Sequence, residues 1–211
     1  MVFEGKNLLF YAVGGADGKE SFFTDLESAL KGGITCFQLR EKHLPFDEFL
    51  AEAKEVKKLC AKYSVPLIIN DNTEIALSCG AEGVHIGQDD GDVAEVKKIA
   101  GGRLIIGVSA HNVEEALAAE KAGADYLGCG AVFGSATKSN VHTLPLETLK
   151  NIAAAVKIPI VAIGGINENN MMRLAGTGIN GVAVISAIFG AVDIENKCKE
   201  LKALSERIVG R

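Results

Sequence analysis

Short apolar segments alternate with longer amphipathic segments along the whole chain. In the clearest amphipathic segment, residues 46–63, apolar side chains recur every three or four positions, as in Phe46, Phe49, Ala53 and Val56. That spacing places them on one face of a helix. We predict strands at 8–13, 36–42, 65–70, 83–88, 104–109, 125–130, 158–163 and 181–186. Helices are predicted at 21–31, 46–63, 73–79, 92–99, 112–122, 146–156, 168–175 and 193–208.

The regular alternation indicates an α/β fold. The predicted strands are apolar on both faces, which is typical of parallel strands covered by helices. Eight strand–helix units within 211 residues favour a single-domain (β/α)8 TIM barrel with parallel strands, spanning residues 1–211. An open doubly wound sheet is the alternative. The phrases "SCGAEGVHIGQ", "KAGADYLGCGA" and "GTGINGVAVISA" each place a glycine at a predicted helix end before a strand, where glycine serves as a C-cap.

Composition excludes several classes of protein. The net charge of -5 gives no general attraction to nucleic acid or to anionic membranes. No apolar run approaches the roughly 18 residues of a membrane span, and the start of the chain has no signal-peptide pattern. The five cysteines are scattered and never spaced C-x-x-C. We therefore expect reduced thiols packed as small apolar residues in a cytoplasmic protein, without a zinc site or disulfide framework.

In such a barrel the functional site lies at the carboxyl ends of the strands. The stretch "CFQLREK" alternates, with Gln38, Arg40 and Lys42 on one parity, so the three side chains point the same way if the strand continues. The other strand ends supply further polar groups and glycines: Asn70, Asp71, Gln88, Asp89, Asp90, Ser109, His111, Ser135, Thr137, Lys138, Gly164, Gly165, Ile185 and Ser186.

The charged residues at these ends also have structural interpretations. Arg40 or Lys42 could pair with Glu41 or with a helix carboxylate. Asp71, with Glu74 three residues later, resembles a capping box. Asp90 could cap the following helix, although Asp92 is better placed, and Lys138 taken alone could be a solvated loop charge.

The histidines have structural interpretations too. The strand pattern around His85 is typical of a satisfied core histidine. Ser109 and His111 are spaced like a nucleophile and a base, but no acidic partner is evident for His111, so we do not expect a hydrolase triad.

Taken together, the strand-end residues suit a diphosphate. Arg40 and Lys42 could neutralise its oxygens. Asp71 and Asp90 would be repelled by it unless they shared a cation, and Mg²⁺ takes carboxylate and phosphate oxygens together. The glycine turn after strand seven and the end of strand eight occupy the place where barrels often hold a separate phosphate. Two phosphorylated ligands at one rim suggest a transfer with diphosphate as leaving group.

Seven segments then appear in register: "FQLREK", "IINDN", "GVHIGQDD", "GVSAH", "FGSATKSN", "VAIGGI" and "AVISAI". Over nearly its whole length the chain resembles the thiamine-phosphate synthase family. The resemblance implies a Mg²⁺-dependent transferase with a (β/α)8 barrel. It would join 4-amino-5-hydroxymethyl-2-methylpyrimidine diphosphate to 4-methyl-5-(2-phosphooxyethyl)thiazole, giving thiamine phosphate and diphosphate in thiamine biosynthesis.

The same resemblance implies residue roles. It assigns the aminopyrimidine diphosphate to Gln38, Leu39, Arg40, Glu41, Lys42, Asn70, Ser109 and Lys138. It assigns Mg²⁺ to Asp71 and Asp90, and the thiazole phosphate to Ser135, Ala136, Thr137, Gly165, Ile185 and Ser186. The implied chemistry is dissociative: a pyrimidine carbocation forms, Arg40, Lys42 and Lys138 stabilise the departing diphosphate, and the thiazole nitrogen attacks. No nucleic acid or membrane partner is expected, and self-association into a homo-oligomer is left open.

The chain departs from the family pattern in one loop. The family usually reads P-T-x-T-K where this chain has "GSATK" at 134–138. Ser135 keeps the hydroxyl but lacks the methyl, and Gly134 is less restricted than proline. The stretch "SNVHTLPL" also lacks the glycine that often follows this loop. Any effect should fall on thiazole affinity and loop closure. The end of the first strand, "VGGADG", receives no role.

Three other functions remain as alternatives. A thiazole tautomerase-like paralogue would lack the N-D motif, the second aspartate and the T-K pair, all of which this chain has. A non-catalytic sensor of thiamine phosphate would not need Asp71 and Asp90. A sugar-phosphate isomerase barrel would need a placed acid/base pair, which we do not identify.

Overall fold

The structure is a computed structural model that describes residues 5–16, 18–88, 91–134 and 143–210. Eight parallel strands pair in chain order, and the first strand pairs with the last to close a barrel. The (β/α)8 prediction is confirmed, and the open-sheet alternative is wrong. The strands are β1 (Phe10–Gly14), β2 (Cys36–Leu39), β3 (Leu67–Asn70), β4 (Gly83–Ile86), β5 (Ile105–Ala110), β6 (Tyr126–Gly130), β7 (Ile160–Ile163) and β8 (Gly181–Val184).

Helices surround the barrel, and all but the short helix at Ser186–Phe189, which was not predicted, lie close to their predicted positions. They are α1 (Phe22–Lys31), α2 (Phe46–Lys62), α3 (Thr73–Cys79), α4 (Val93–Ala100), α5 (Val113–Ala122), α6 (Leu146–Ala155), α7 (Ser186–Phe189) and α8 (Ile194–Ile208). Short 3-10 turns cover Gly5–Leu8 and Met171–Leu174.

Several predicted elements are wrong in type or extent, and two of them follow β7 in the chain. The helix predicted at 168–175 is only the 3-10 turn at Met171–Leu174. Just before it, Asn170 Oδ1 accepts a hydrogen bond from Asn167 N at 2.9 Å, and Asn167 Oδ1 accepts one from Asn169 N at 2.9 Å. Such side-chain bonds compete with helical backbone bonds. The strand predicted to reach residue 186 ends at Val184, and α7 begins at Ser186.

The apolar core has two layers, as strands that are apolar on both faces require. On β2, Phe37 and Leu39 are fully buried in the layer between barrel and helices, together with Leu26 of α1. Residues of opposite parity fill the barrel interior: Tyr11, Val13, Cys36, Ile68, Tyr126, Val161 and Ala183. Burying each large side chain of this kind stabilises the fold by about 1.5–3 kcal/mol.

Glycines on two neighbouring strands make room for rings inside the barrel. A Cβ at Gly107 of β5 would lie 2.1 Å from Cζ of Tyr126, and one at Gly128 of β6 would lie 2.9 Å from Cε1 of His85. Both contacts are closer than real Cβ atoms approach. The interior can therefore hold Tyr126 and His85 side by side.

All five cysteines are free thiols, and all but the partly buried Cys79 are buried. Burial raises the pKa of Cys60, Cys129 and Cys198 to about 12. The prediction that most cysteines pack as small apolar residues is confirmed. Among the described helices, none combines the length and apolar character needed to cross a bilayer.

Candidate active site

A cavity of about 520 Å³ lies inside the barrel and at the carboxyl ends of its strands. Those ends converge because all eight strands run the same way around the barrel. Eight of the residues predicted for the site line this cavity: Gln38, Arg40, Lys42, Asn70, Asp71, Ser109, Ile185 and Ser186. The structure therefore brings together side chains that lie up to about 150 positions apart in the sequence.

The end of β2 differs from the prediction in extent but not in alternation. The strand ends at Leu39 rather than at residue 42, yet Arg40 N still donates to Gly14 O at 2.9 Å. Arg40 and Lys42 consequently face the cavity together with Gln38. The side chains of Leu39 and Glu41 do not line it, and Leu39 is fully buried in the layer under the helices.

Arg40 forms no ion pair with any residue that the structure describes. The interpretation in which it is neutralised by Glu41 is therefore not supported. A guanidinium without an anionic partner, on the wall of a cavity, is available to bind an anion.

Asp71 is held between a cation and an amide at the end of β3. Its Oδ2 accepts from Lys42 Nζ and its Oδ1 accepts from Asn70 Nδ2. Its φ of +61° lies in the left-handed region, which aspartate tolerates better than most residues. Its backbone N donates to His85 O at 2.8 Å. This conformation directs the carboxylate to the cavity.

The capping-box interpretation of Asp71 is wrong. The N-cap of α3 is Asn72, whose Oδ1 accepts from Ile75 N at 2.9 Å. The left-handed turn moves Asp71 out of capping position. At α4 the cap is Asp92, which accepts from Ala94 N at 2.8 Å, so the better-placed aspartate does cap that helix.

The predicted metal site is described only in part. Asp89 and Asp90 lie outside the described residues, so the ligand role of Asp90 stays a prediction. Within the described ranges, no group of three or more His, Cys, Asp or Glu side chains is arranged to hold a metal. The Asp71 carboxylate nevertheless lines the cavity, and a carboxylate beside a phosphate-sized cavity is a ligand type that Mg²⁺ takes.

Five side chains form a hydrogen-bonded series across the barrel interior, which we call the interior relay: Gln38, Tyr11, Tyr126, His85 and Ser109. Gln38 Nε2 donates to Tyr11 OH at 2.8 Å, and the two tyrosine hydroxyls lie 3.0 Å apart. The Tyr126 hydroxyl lies 3.0 Å from His85 Nδ1, and His85 Nε2 lies 3.1 Å from Ser109 Oγ. Both ends of the relay line the cavity.

Only part of this relay was predicted from the sequence. His85 is satisfied by interior hydrogen bonds, as its strand pattern suggested, but it also lines the cavity. Sequence reasoning missed Tyr11 and Tyr126; the available signal was a tyrosine at an interior-facing position of a strand. Burial raises the pKa of both phenols well above the ordinary value, so both keep their protons.

His111 does have an acidic partner, contrary to the expectation from sequence. Its Nδ1 lies 2.8 Å from Glu115 Oε2, and its backbone N donates to the same oxygen at 2.8 Å. Partial burial pushes the pKa of Glu115 upwards, but the hydrogen bonds from His111 and Asn112 outweigh it and the pKa is lowered. Ser109 contacts His85 instead of His111, so these residues do not form a serine–histidine–acid triad.

The ends of β7 and β8 meet at the other side of the cavity. Gly164 lines it, as do Ile185 and Ser186 where α7 begins. Gly165 has φ +65°, and a Cβ there would lie 2.2 Å from Gly134 O. The Gly165 backbone therefore lies directly against the segment that ends β6 and its following turn, just outside the lining of the cavity.

Four predicted site residues follow β6 in the sequence: Ser135, Ala136 and Thr137 for the thiazole phosphate, and Lys138 for the aminopyrimidine diphosphate. They lie outside the described residues, and their roles stay predictions. Gly134, the residue directly before them, is the described neighbour of Gly165.

Comparison with known proteins agrees with the predicted family and fold. A family model described as thiamine monophosphate synthase matches residues 10–188. A thiamine-phosphate synthase of Clostridium tetani is 52% identical over 176 residues, covering 83% of this chain and 84% of that protein. One of Clostridium acetobutylicum is 46% identical over 181 residues, covering 86% of each. The solved thiamine phosphate pyrophosphorylase of Pyrococcus furiosus has a TM-score of 0.89 at 38% identity, covering 98% of this chain and 100% of that one.

Proposed function

Because the chain belongs to the thiamine monophosphate synthase family of transferases, we propose that it makes thiamine phosphate with the help of Mg²⁺. Its substrates would be 4-amino-5-hydroxymethyl-2-methylpyrimidine diphosphate and 4-methyl-5-(2-phosphooxyethyl)thiazole, and diphosphate would be the second product. The observation that carries this proposal is the shared cavity lined by two cations, a carboxylate, two amides and a hydroxyl from the ends of β2, β3 and β5.

The aminopyrimidine diphosphate binds on the β2–β5 side of the cavity. Arg40 offers a planar fork of donors that suits phosphate oxygens, and it has no competing carboxylate among the described residues. Lys42 is paired with Asp71, but their side chains are 40% and 23% exposed. Such a pair contributes little to folding, so Lys42 can turn to a phosphate at small cost.

The transfer proceeds by departure of diphosphate before attack. The bond between the pyrimidine methylene carbon and the diphosphate oxygen breaks, and its electron pair leaves with the oxygen. The aminopyrimidine ring stabilises the resulting cation, and the thiazole nitrogen then forms the new bond to the methylene carbon. Arg40 and Lys42, with Lys138 as a predicted third cation, stabilise charge that develops on the leaving oxygens.

Mg²⁺ fits the described part of the site through Asp71. When bound between Asp71 and the predicted second ligand Asp90, it would supply positive charge to the diphosphate oxygens. The Asp71 conformation supports this role, because its left-handed backbone fixes the carboxylate at the rim.

The thiazole phosphate lies on the β7–β8 side. Gly164 and Gly165 carry no side chains, so a phosphate can approach their backbone closely. The backbone of Ile185 and Ser186 faces the same space. Each substrate then occupies one half of the rim, which places the thiazole nitrogen and the methylene carbon between them.

The proposal includes the setting of the enzyme. Five free thiols, four of them buried, are typical of a reducing compartment, which supports a cytoplasmic location. The partners are the two small substrates, without nucleic acid or membrane, and a homo-oligomer stays open.

The test mixes the purified protein with both substrates, with Mg²⁺ or with excess chelator, and follows thiamine phosphate and diphosphate by mass spectrometry. We expect both products only with Mg²⁺. A tautomerase would convert a thiazole carboxylate phosphate without releasing diphosphate, and a sensor would bind thiamine phosphate without turnover; either result, in the absence of thiamine phosphate formation, would reject the proposal.

A further inference from the structure

The segment that joins β1 to α1 has no role in the proposed reaction, although part of it borders the cavity. Gly14, Gly15 and Lys19 all line the cavity. Lys19 is the charged member of this set, and it joins Arg40 and Lys42 as a lysine or arginine on the cavity wall. The segment therefore brings a further positive charge to a site that is proposed to take two phosphorylated ligands.

Backbone hydrogen bonds hold Lys19 in a turn. Lys19 N donates to Ala16 O at 2.7 Å, and Phe22 N donates to Lys19 O at 3.2 Å. The preceding residue, Gly18, has φ +77° and no atom within 4 Å of its Cβ position, so the turn uses the left-handed region that glycine adopts freely. The backbone of Lys19 is thus held at the rim, while its flexible stem lets the ammonium group turn towards a ligand.

Lys19 forms no ion pair with any residue in the part of the chain that the structure describes. Lys42, in contrast, is paired with Asp71. An ammonium group that lines a cavity and has no anionic partner is available to bind the anionic part of a ligand.

Close contacts place this segment at the boundary between the two sides of the cavity. A Cβ at Gly14 would lie 2.9 Å from Cε2 of Phe189 in α7, and a Cβ at Gly15 would lie 2.4 Å from Arg40 O. β1 pairs with β2 along one edge and with β8 along the other. Lys19 therefore extends from a segment that touches both α7 and the end of β2.

The two sides of the cavity differ in charge. Arg40 and Lys42 line the β2–β5 side. Among the described lining residues from β6, β7, β8, α7 and the turns that follow them, none is charged, and Ser186 is the one with a polar side chain. A phosphate monoester carries about −1.5 to −2 charges at pH 7. Backbone N–H groups and one hydroxyl would leave that charge without a counter-ion.

Two other described cations do not supply this charge. Arg173, in the 3-10 turn after β7, has its Cζ 5.0 Å from the centre of the Phe133 ring. Lys197 of α8 lies 3.3 Å from Glu168 and 2.7 Å from Glu200. Neither cation lines the cavity, whereas Lys19 does.

We propose that Lys19 binds the phosphate group of the thiazole substrate and supplies the positive charge that the β7–β8 side of the cavity lacks. This rests on the proposed function, because it takes the places of the two substrates from it. The ammonium group donates to phosphate oxygens from the β1 side, and the backbone of Gly164 and Ser186 faces the same phosphate from the β7–β8 side. The aminopyrimidine diphosphate keeps Arg40 and Lys42.

The role is tested with Lys19→Met, which removes the charge and keeps an unbranched side chain. We expect the KM for the thiazole phosphate to rise about tenfold, while the KM for the aminopyrimidine diphosphate and the Tm stay unchanged. The effect should not be larger, because Lys19 is exposed and water and salt screen its charge. Lys19→Arg, which restores the positive charge, should bring this KM to within about twofold of wild type.

Lys62→Met is the matched control. Lys62 is the last residue of α2, is exposed and forms no ion pair with a described residue. The end of α2 lies at the opposite rim, so this variant changes the net charge equally without changing either KM. Added salt should reduce the difference in KM between wild type and Lys19→Met, because screening weakens an exposed ionic contact.

Calorimetry separates this inference from the proposed function. The thiazole phosphate alone, without the second substrate or Mg²⁺, should bind wild type about tenfold more tightly than Lys19→Met. Equal dissociation constants, no binding to either protein, or a rise in the KM for the aminopyrimidine diphosphate instead would overturn the inference, even where wild-type turnover upholds the proposed function. A wild type that shows the tenfold difference in binding but forms no thiamine phosphate would support the inference and reject the proposed function.

Discussion

Replacing Gly165 by alanine tests whether close contact between two backbone segments shapes the rim of the cavity. At φ +65° any residue with a Cβ costs about 1–2 kcal/mol. The new Cβ would also lie 2.2 Å from Gly134 O and 2.9 Å from Phe133 O. Because both are backbone atoms, no side-chain rotation relieves the contact, and shifting the segment costs about 1–3 kcal/mol more.

Gly176→Ala is the matched control. Gly176 has φ +75° and no atom within 4 Å of its Cβ position, and it lies before β8 on the opposite rim. It should lose about 1–2 kcal/mol of unfolding free energy in urea and keep wild-type kinetics. Gly165→Ala should lose about 2–5 kcal/mol and raise the KM for the thiazole phosphate, because the displaced segment leads into the loop after β6. Equal losses in the two variants, with unchanged KM in both, would refute the reasoning.

Three further predictions concern charged groups. Arg40→Ala should lower steady-state turnover by about 10²–10³ without changing Tm. Arg103→Ala, on the opposite rim, should change neither turnover nor Tm, and near-wild-type turnover of Arg40→Ala would reject the role of Arg40. Asp71→Asn should raise the Mg²⁺ concentration for half-maximal diphosphate release at least about tenfold, while asparagine still tolerates the left-handed backbone at this position. The control Asp92→Asn still caps its helix and should leave that concentration unchanged. An unaltered Mg²⁺ dependence of Asp71→Asn would count against the ligand role. Because the pKa of Glu115 is lowered in the folded protein, its ionised carboxylate stabilises the fold above pH 4.5, and this stabilisation is lost as the pH falls through the lowered pKa. The urea midpoints of wild type and Glu115→Gln should therefore converge below pH 4.5. A difference between the two midpoints that does not change with pH would contradict this.

The barrel and much of its rim could be predicted because both follow from local periodicity. Strands apolar on both faces and helices with one apolar face leave few architectures, and strand direction then brings the strand ends together. The alternation of Gln38, Arg40 and Lys42 placed them correctly even though β2 stops at Leu39. The prediction that these side chains point the same way therefore held, although the predicted end of the strand was wrong.

Contacts across the barrel could not be predicted in this way. Tyr126 meets His85 and Tyr11 only because closure of the sheet brings side chains of β6, β4 and β1 together inside the barrel, and no local pattern encodes those distances. Asp71 pairs with Lys42 because its backbone is left-handed, and nothing in the sequence around Asp71 and Glu74 predicts that conformation. The acidic partner of His111 is Glu115, only four residues later in the chain, so this contact lay within reach of local reasoning.

The four buried cysteines have a practical consequence for following how the barrel opens. Cys36, Cys60, Cys129 and Cys198 belong to β2, α2, β6 and α8, so they sample well-separated parts of the molecule. A thiol reagent can reach each one only when its surroundings transiently open. The labelling rate of each cysteine, measured by mass spectrometry of its peptide, would therefore report local opening of the native state at four places around the barrel. No engineered probe is needed.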